Sequence, residues 1–317
     1  MINLFNIPNY KLDTSEFSNF LHDEIVQEFE QKICNYVGAK YACSINSATN
    51  AIFLIFLNKN IKVTIPSLIP PVVANGIITS GNKITFNDNI EWVGDSYVLH
   101  EFDDYKIIDS AQKIEKDQFK KEANDNDLMF FSFYPTKPIG SCDGGIIVSN
   151  DEKKINWFRE AIMNGMTFSQ NNWEREIKFP GYKMYMNSIQ AYIANKNFEK
   201  LEEKKKKLSQ IRDFYNKELN LSNTSDHLYR LSLSNRDKMI EIFKKQNIVT
   251  GIHYNALNLN IAYEPYIVNS SGYRVHCYCP KSEEESKRTL SIPFHENLSD
   301  EDLKNIISTI KNYAKFE

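Results

Sequence analysis

Short runs that are apolar almost throughout, separated by helix-forming stretches, are the feature that most limits how this chain can fold. KYACSI (40–45), KVTIPSLI (62–69), SYVLHEF (96–102), YKIIDS (105–110), LMFFSF (128–133) and GGIIVSN (144–150) read as strands. Several leave no polar face, which is the pattern of strands covered on both sides. Between them, HDEIVQEFEQKICNYV spaces Ile25, Phe29, Ile33 and Val37 four apart, an amphipathic helix. SATNAIFLIFLNK reads as a second helix with Ser47 or Thr49 near its start. Strands alternating with helices predict an α/β fold with a mainly parallel sheet.

From about Asn195 the texture changes. A long charged helix is predicted through FEKLEEKKKKLSQIRDFYNKEL, then a strand in HLYRLSLS, a helix in RDKMIEIFKKQNI, a strand in VTGIHY, a loop, and a last helix in DEDLKNIISTIKNY. The expected division is therefore a large domain over 1–195 and a smaller C-terminal α+β domain over 196–317. A net charge of -3 provides no general field for nucleic acid. The basic run Lys204 to Lys207 follows Glu199, Glu202 and Glu203 and reads as a solvated helix face. No apolar run reaches the roughly 20 residues of a membrane span, and MINLFNIPNYK has no signal-peptide pattern, so a cytoplasmic protein is expected. Five scattered cysteines do not form a disulfide framework, and Cys277 and Cys279 have no second Cys/His pair to complete a metal site.

Lys137, between two prolines just after the strand LMFFSF, is the candidate for chemistry. Asp109 ends the strand YKIID, and in an open parallel sheet ligands bind at the carboxyl ends of strands. Thr49, near a helix N-terminus, adds N–H groups and a positive dipole end suited to phosphate. An aldehyde-reactive lysine, an acid for a ring nitrogen and a phosphate cradle are together what pyridoxal phosphate requires. Lysine's ordinary pKa is about 10.4, so the site must favour the neutral amine.

At these residues the sequence resembles the DegT/DnrJ/StrS sugar aminotransferases, fold-type I enzymes that use pyridoxal phosphate. SFYPTK (132–137), IIDSAQ (107–112) and DGG (143–145) followed by IIVSND carry the resemblance. It extends through FEQKICNYVGAKYACSINSATNA, GYKMYMNSIQA, TGIHY and LSIPFHENLSDEDL. The resemblance implies Lys137 as the Schiff-base lysine, Asp109 as partner of the pyridine nitrogen, and Gln112 against the ring. It implies that Ser132, Ala48 and Thr49 hold the phosphate, and that Lys183 reaches the phosphate of the partner subunit in a homodimer with interfacial sites. His253 and Tyr134 are candidate substrate contacts; His253 could equally be a packed residue, aromatic residues placed like Tyr134 more commonly pack the core, and His100 could border the cavity, though a structural role suits it better. The implied reaction moves an amino group, from glutamate, to a ketone on a nucleotide-linked sugar. A smaller phosphorylated or cyclic ketone, or a binding protein that has lost catalysis, are the alternatives. The related dehydratases carry histidine in place of Lys137.

The chain departs from the family at several points. The family's SGT becomes Ser47-Ala48-Thr49, and its stacking aromatic is replaced by Pro70 or Pro71 in IPSLIPPVVANG. The stretch between KITF and YKIID is short, as if a crossover helix were lost, and NALNLNIAY replaces a proline-rich, histidine-containing segment.

Overall fold

The computed structural model describes residues 1–168, 175–269 and 271–316. In chain order come α1 (Ile25–Val37), β1 (Tyr41–Ile45), α2 (Ala48–Phe56), β2 (Lys62–Pro66), α3 (Pro71–Thr79), β3 (Lys83–Asn87), β4 (Tyr97–Glu101) and β5 (Lys106–Asp109). Next are α4 (Gln118–Glu122), β6 (Leu128–Ser132), β7 (Gly145–Ser149), α5 (Glu152–Ile162), β8 (Met166–Phe168), β9 (Arg175–Ile177), α6 (Ser188–Glu199) and α7 (Leu201–Leu219). The rest comprises β10 (Tyr229–Ser232), α8 (Arg236–Lys245), α9 (Pro280–Arg288), β11 (Thr289–Ile292) and α10 (Asp300–Tyr313).

The main sheet has the order β1-β7-β6-β5-β4. β1, β5 and β6 share one direction, and β7 and β4 run against it. β2 and β3 form a parallel pair, with β2 beside β4. The expected α/β layering is present, and alternation along the strands explains the wholly apolar runs. Ala42, Ile108, Met129, Phe131, Ile146 and Val148 enter one core with α1 and α6. Their neighbours Cys43, Ile107, Phe130 and Ile147 enter the opposite core with α2, α3 and α5. Both faces of each strand are thus buried, as period-two side chains under two helical layers must be.

A third core joins α7, α8 and α10 to the antiparallel pair β10 and β11. Its helices present Leu208, Ile211, Tyr215, Phe243, Ile306 and Ile310, and Ile2 from the N-terminus packs against them. Two expectations are corrected here. The charged helix is broken at Lys200 into α6 and α7, and α6 starts earlier, at a capping box of Asn187 and Gln190. VTGIHY is no strand: Gly251 makes only an isolated bridge to Ser291.

The floor of the strand ends is set by a close approach. Gly145 pairs with Ser132 on one side and Ile45 on the other. A side-chain carbon at Gly145 would lie 2.7 Å from the Ala48 amide nitrogen and 2.9 Å from its Cα, both backbone atoms. Glycine is what lets the first turn of α2 rest on the sheet. Gly145→Ala is therefore expected to cost about 2 kcal/mol of stability, read as a lower denaturation midpoint, and to weaken phosphate retention by the same protein. Unchanged stability would show that α2 does not rest there.

Candidate active site

The alternation that builds the cores also aims the site residues. Asp109 follows Ile108 and so shares the face of Ile107; Ser132 follows Phe131 and shares the face of Phe130. Both therefore point to the side on which α2 lies, with Gly145 beside Ser132 in the next strand. Ser47 caps α2, its side chain accepting from the Asn50 N–H at 3.2 Å. The amides of Ala48 and Thr49 belong to the first turn, ahead of the helix's own hydrogen-bond ladder. Gly145 lets this first turn rest on the sheet beside Ser132, so these N–H groups and the Ser132 hydroxyl lie near one strand end, donors of the kind phosphate takes.

Lys137 sits on a tightly closed turn. Its N–H bonds Tyr134 O at 2.9 Å, and Ser141 N–H bonds Phe133 O at 2.8 Å. Asn197 donates to Gly140 O, and a side-chain carbon at Gly140 would collide with the Pro135 carbonyl. Lys204 donates to Pro138 O and Lys205 to Ile114 O, each at 3.2 Å. Lys204, in the basic run expected on a solvated face, thus braces this turn, while Lys205 ties the same helix to the segment after β5. In this setting burial lowers the Lys137 pKa to about 8, although the charge of Asp109 pulls it the other way.

Asp109 is 4% exposed, and burial pushes its pKa up. The Ala111 N–H on Oδ1 at 2.9 Å, the Tyr97 hydroxyl on Oδ2 at 3.1 Å and the Lys137 charge all oppose that rise. Gln112 uses both ends of its amide: Oε1 accepts from the Gly94 N–H at 2.7 Å, and Nε2 donates to the Tyr254 hydroxyl at 2.7 Å. His253 accepts from or donates to Ser291 Oγ at 2.8 Å through Nδ1. Burial, then Lys137 and then Arg230, lower its pKa to about 4, so the ring is neutral near pH 7.

Lys137, Asp109, Gln112 and His253 are thus brought together, and Ser132, Ala48 and Thr49 surround Gly145. Tyr134 and Lys183 are not part of that group. Tyr134 is 54% exposed, and Lys183 is exposed on the face that carries His22, whose pKa it helps to lower. His100 packs its ring on Phe56 and Phe102 at the other end of β4 from Tyr97.

Sequence reasoning missed Tyr97, Trp92, Tyr254 and His227. Trp92 is 5% exposed, with its ring 4.7 Å from Tyr97 and its Nε1–H on Leu68 O at 3.2 Å. That carbonyl belongs to the segment IPSLIPPVVANG, which carries Pro70 and Pro71. His227 is buried against Phe5 at 5.7 Å, and burial followed by the Lys137 charge holds its pKa well below the ordinary value. A lone tryptophan in the polar stretch NDNIEWVGDS was the one available signal. Beside Gln112 a cleft of about 670 Å³ opens between the lobes, lined by Gly94, Pro138, Lys204, Asp226 and Arg230 among others.

These residues fit pyridoxal phosphate: an amine whose pKa burial lowers to about 8, a buried carboxylate at the neighbouring strand end, and free N–H groups at a helix N-terminus for the phosphate. Since the neutral amine attacks an aldehyde, capture of added pyridoxal phosphate should accelerate as pH rises through about 8. The rate of growth of the visible absorption band measures this; a midpoint near the ordinary 10.5 would contradict the burial argument.

Comparison with known proteins agrees. The sequence pattern of the DegT/DnrJ/EryC1/StrS aminotransferase family matches residues 12–91 and 106–311. A Campylobacter jejuni protein named UDP-4-amino-4,6-dideoxy-N-acetyl-beta-L-altrosamine transaminase is 25% identical, over 94% of this chain and 93% of its own. Two solved structures share the fold. The aminotransferase TlmJ from Streptoalloteichus hindustanus has a TM-score of 0.78 at 20% identity, covering 98% of both chains. The sugar aminotransferase Spr1654 of Streptococcus pneumoniae, solved in a PLP form, has a TM-score of 0.77 at 20% identity, covering 97% of both. The chain belongs to the DegT/DnrJ/EryC1/StrS aminotransferase family and is a pyridoxal phosphate-dependent aminotransferase.

Proposed function

We propose that the chain transfers the amino group of glutamate to the keto group of a nucleotide-linked sugar. The observation that carries this reading is the Lys137 amine, its pKa lowered by burial to about 8, facing Asp109 across neighbouring strand ends, within a family of aminotransferases. The sugar and its nucleotide are supported by the name of the Campylobacter relative.

When bound, pyridoxal phosphate supplies the aldehyde that takes the amine and the ring that stores the electron pair released at the substrate carbon. Lys137 holds the cofactor between turnovers. Once displaced, its free amine removes the proton from the donor carbon and later delivers one to the acceptor carbon. Asp109 orients the ring nitrogen and keeps its proton in place. Gln112, fixed by Gly94 and Tyr254, limits how the ring lies, while Ser132, Ala48 and Thr49 hold the phosphate. His253, neutral and beside Lys137, is placed to offer a hydrogen bond to substrate. The inter-lobe cleft beside Gln112 is wide enough for the substrate's nucleotide end.

Tyr134 enters this reading as a substrate contact, and Lys183 from a second copy of the chain. The exposure of Lys183 supports a homodimer in which it completes the partner's phosphate site. The large unit over 1–195 would carry the cofactor and the unit over 196–317 would close over it. A cytoplasmic setting accords with five unbridged cysteines. Among the described residues no helix is long and apolar enough to cross a membrane.

With pyridoxal phosphate bound, adding glutamate should bleach the visible band, and a nucleotide-linked keto-sugar should restore it. Lys137→Ala should lower turnover by about four orders of magnitude. A band that glutamate leaves unchanged while other amino acids bleach it would remove glutamate as donor. For the dimer, Lys183→Ala should weaken cofactor binding about tenfold. Mixing it with Lys137→Ala protein should regenerate sites of native affinity; no recovery on mixing would contradict shared sites.

A further inference from the structure

The internal stretch that its family's pattern does not match, residues 92–105, contains all of β4. Parallel neighbours in a sheet need a crossover of a dozen or more residues. β4 and β5 are joined by only four, Phe102 to Tyr105, closed by Phe102 N–H on Tyr105 O at 2.8 Å. The pair can only be an antiparallel hairpin, and that is how it is built. The strand's first residue, not its last, therefore lies beside the acid: Tyr97 pairs with Asp109.

The short connection thus puts a phenol where it meets the carboxylate. The Tyr97 hydroxyl donates to Oδ2 at 3.1 Å while the Ala111 N–H occupies Oδ1 at 2.9 Å. Trp92 backs the tyrosine ring at 4.7 Å and is itself tied to Leu68 O, so the phenol is held from behind. A carboxylate oxygen accepts along two lone pairs, so Oδ2 can take a second donor while keeping the first. Burial and the Asp109 charge keep the Tyr97 proton on its oxygen, which leaves the phenol a donor.

We propose that Tyr97 is a positioning residue for the cofactor: its hydroxyl fixes the Asp109 carboxylate in the orientation that receives the ring nitrogen of pyridoxal phosphate. The role rests on the cofactor alone and not on the identity of the sugar or the donor. A carboxylate with one fewer fixed donor can rotate and is less biased toward its charged form, so ring binding weakens.

The test is a double-mutant cycle read by absorbance titration with pyridoxal phosphate and by melting of the cofactor-free proteins. Tyr97→Phe, which keeps the ring and its packing, should raise the cofactor Kd about tenfold, as expected for a lost hydrogen bond to a charged group. It should also shift the pH at which the bound cofactor's spectrum changes. Asp109→Ala should raise Kd further, and Tyr97→Phe added to it should change Kd no more, because the hydroxyl acts through the carboxylate. An unchanged Kd in Tyr97→Phe, or equal losses with and without Asp109, would overturn the proposal. So would tighter binding in Tyr97→Phe, which would mean that the hydroxyl occupies the place of the ring nitrogen. Wild-type protein that bound no pyridoxal phosphate would overturn the cofactor assignment together with this inference, whereas failure confined to Tyr97→Phe overturns the inference alone.

Discussion

Asp109 and Lys137 stand at the ends of adjacent strands in a place that water reaches poorly, and no ion pair joins them among the described residues. Burial disfavours the charged form of each, raising the acid's pKa and lowering the amine's. That cost is sustained because the surroundings hold both groups in place. The acid takes two hydrogen bonds, and the lysine's turn is tied to the sheet, α6 and α7 by backbone and side-chain bonds. The same arrangement supplies reactivity: an amine with a pKa near 8 retains a useful neutral fraction at neutral pH.

The sheet places these groups through simple alternation. Ile107, Phe130 and Ile147 point into the core under α2, and two residues further along β5 and β6 the same face carries Asp109 and Ser132. Gly145 leaves room for the first turn of α2 to reach the sheet, so the N–H groups of that turn and the strand-end groups share one wall. Core packing and site geometry are here the same set of contacts, so a change at Gly145 reaches both.

Much of this was legible in sequence because strands buried on both faces are apolar throughout, and because Lys137 and Asp109 occur in recognisable surroundings. Other parts were hidden for physical reasons. α3 begins at Pro71, which reads as a breaker but serves as the first helical residue, where its missing N–H is not needed. VTGIHY has β-branched and aromatic residues, yet its neighbours allow it only one bridge. The role of Tyr97 depends on strand direction, which no local propensity encodes. The shortness of the stretch before YKIID implied a lost helix, and only the pairing register shows an antiparallel hairpin that sets Tyr97, and not His100, beside Asp109.

The most direct test of the central claim is to load the protein with pyridoxal phosphate, reduce it with borohydride, digest it and locate the added mass by peptide sequencing in a mass spectrometer. The expected result is one label per chain, on Lys137. A label on Lys183 or Lys204 instead, or no label on protein that has bound the cofactor, would contradict the placement of the reactive amine at the end of β6.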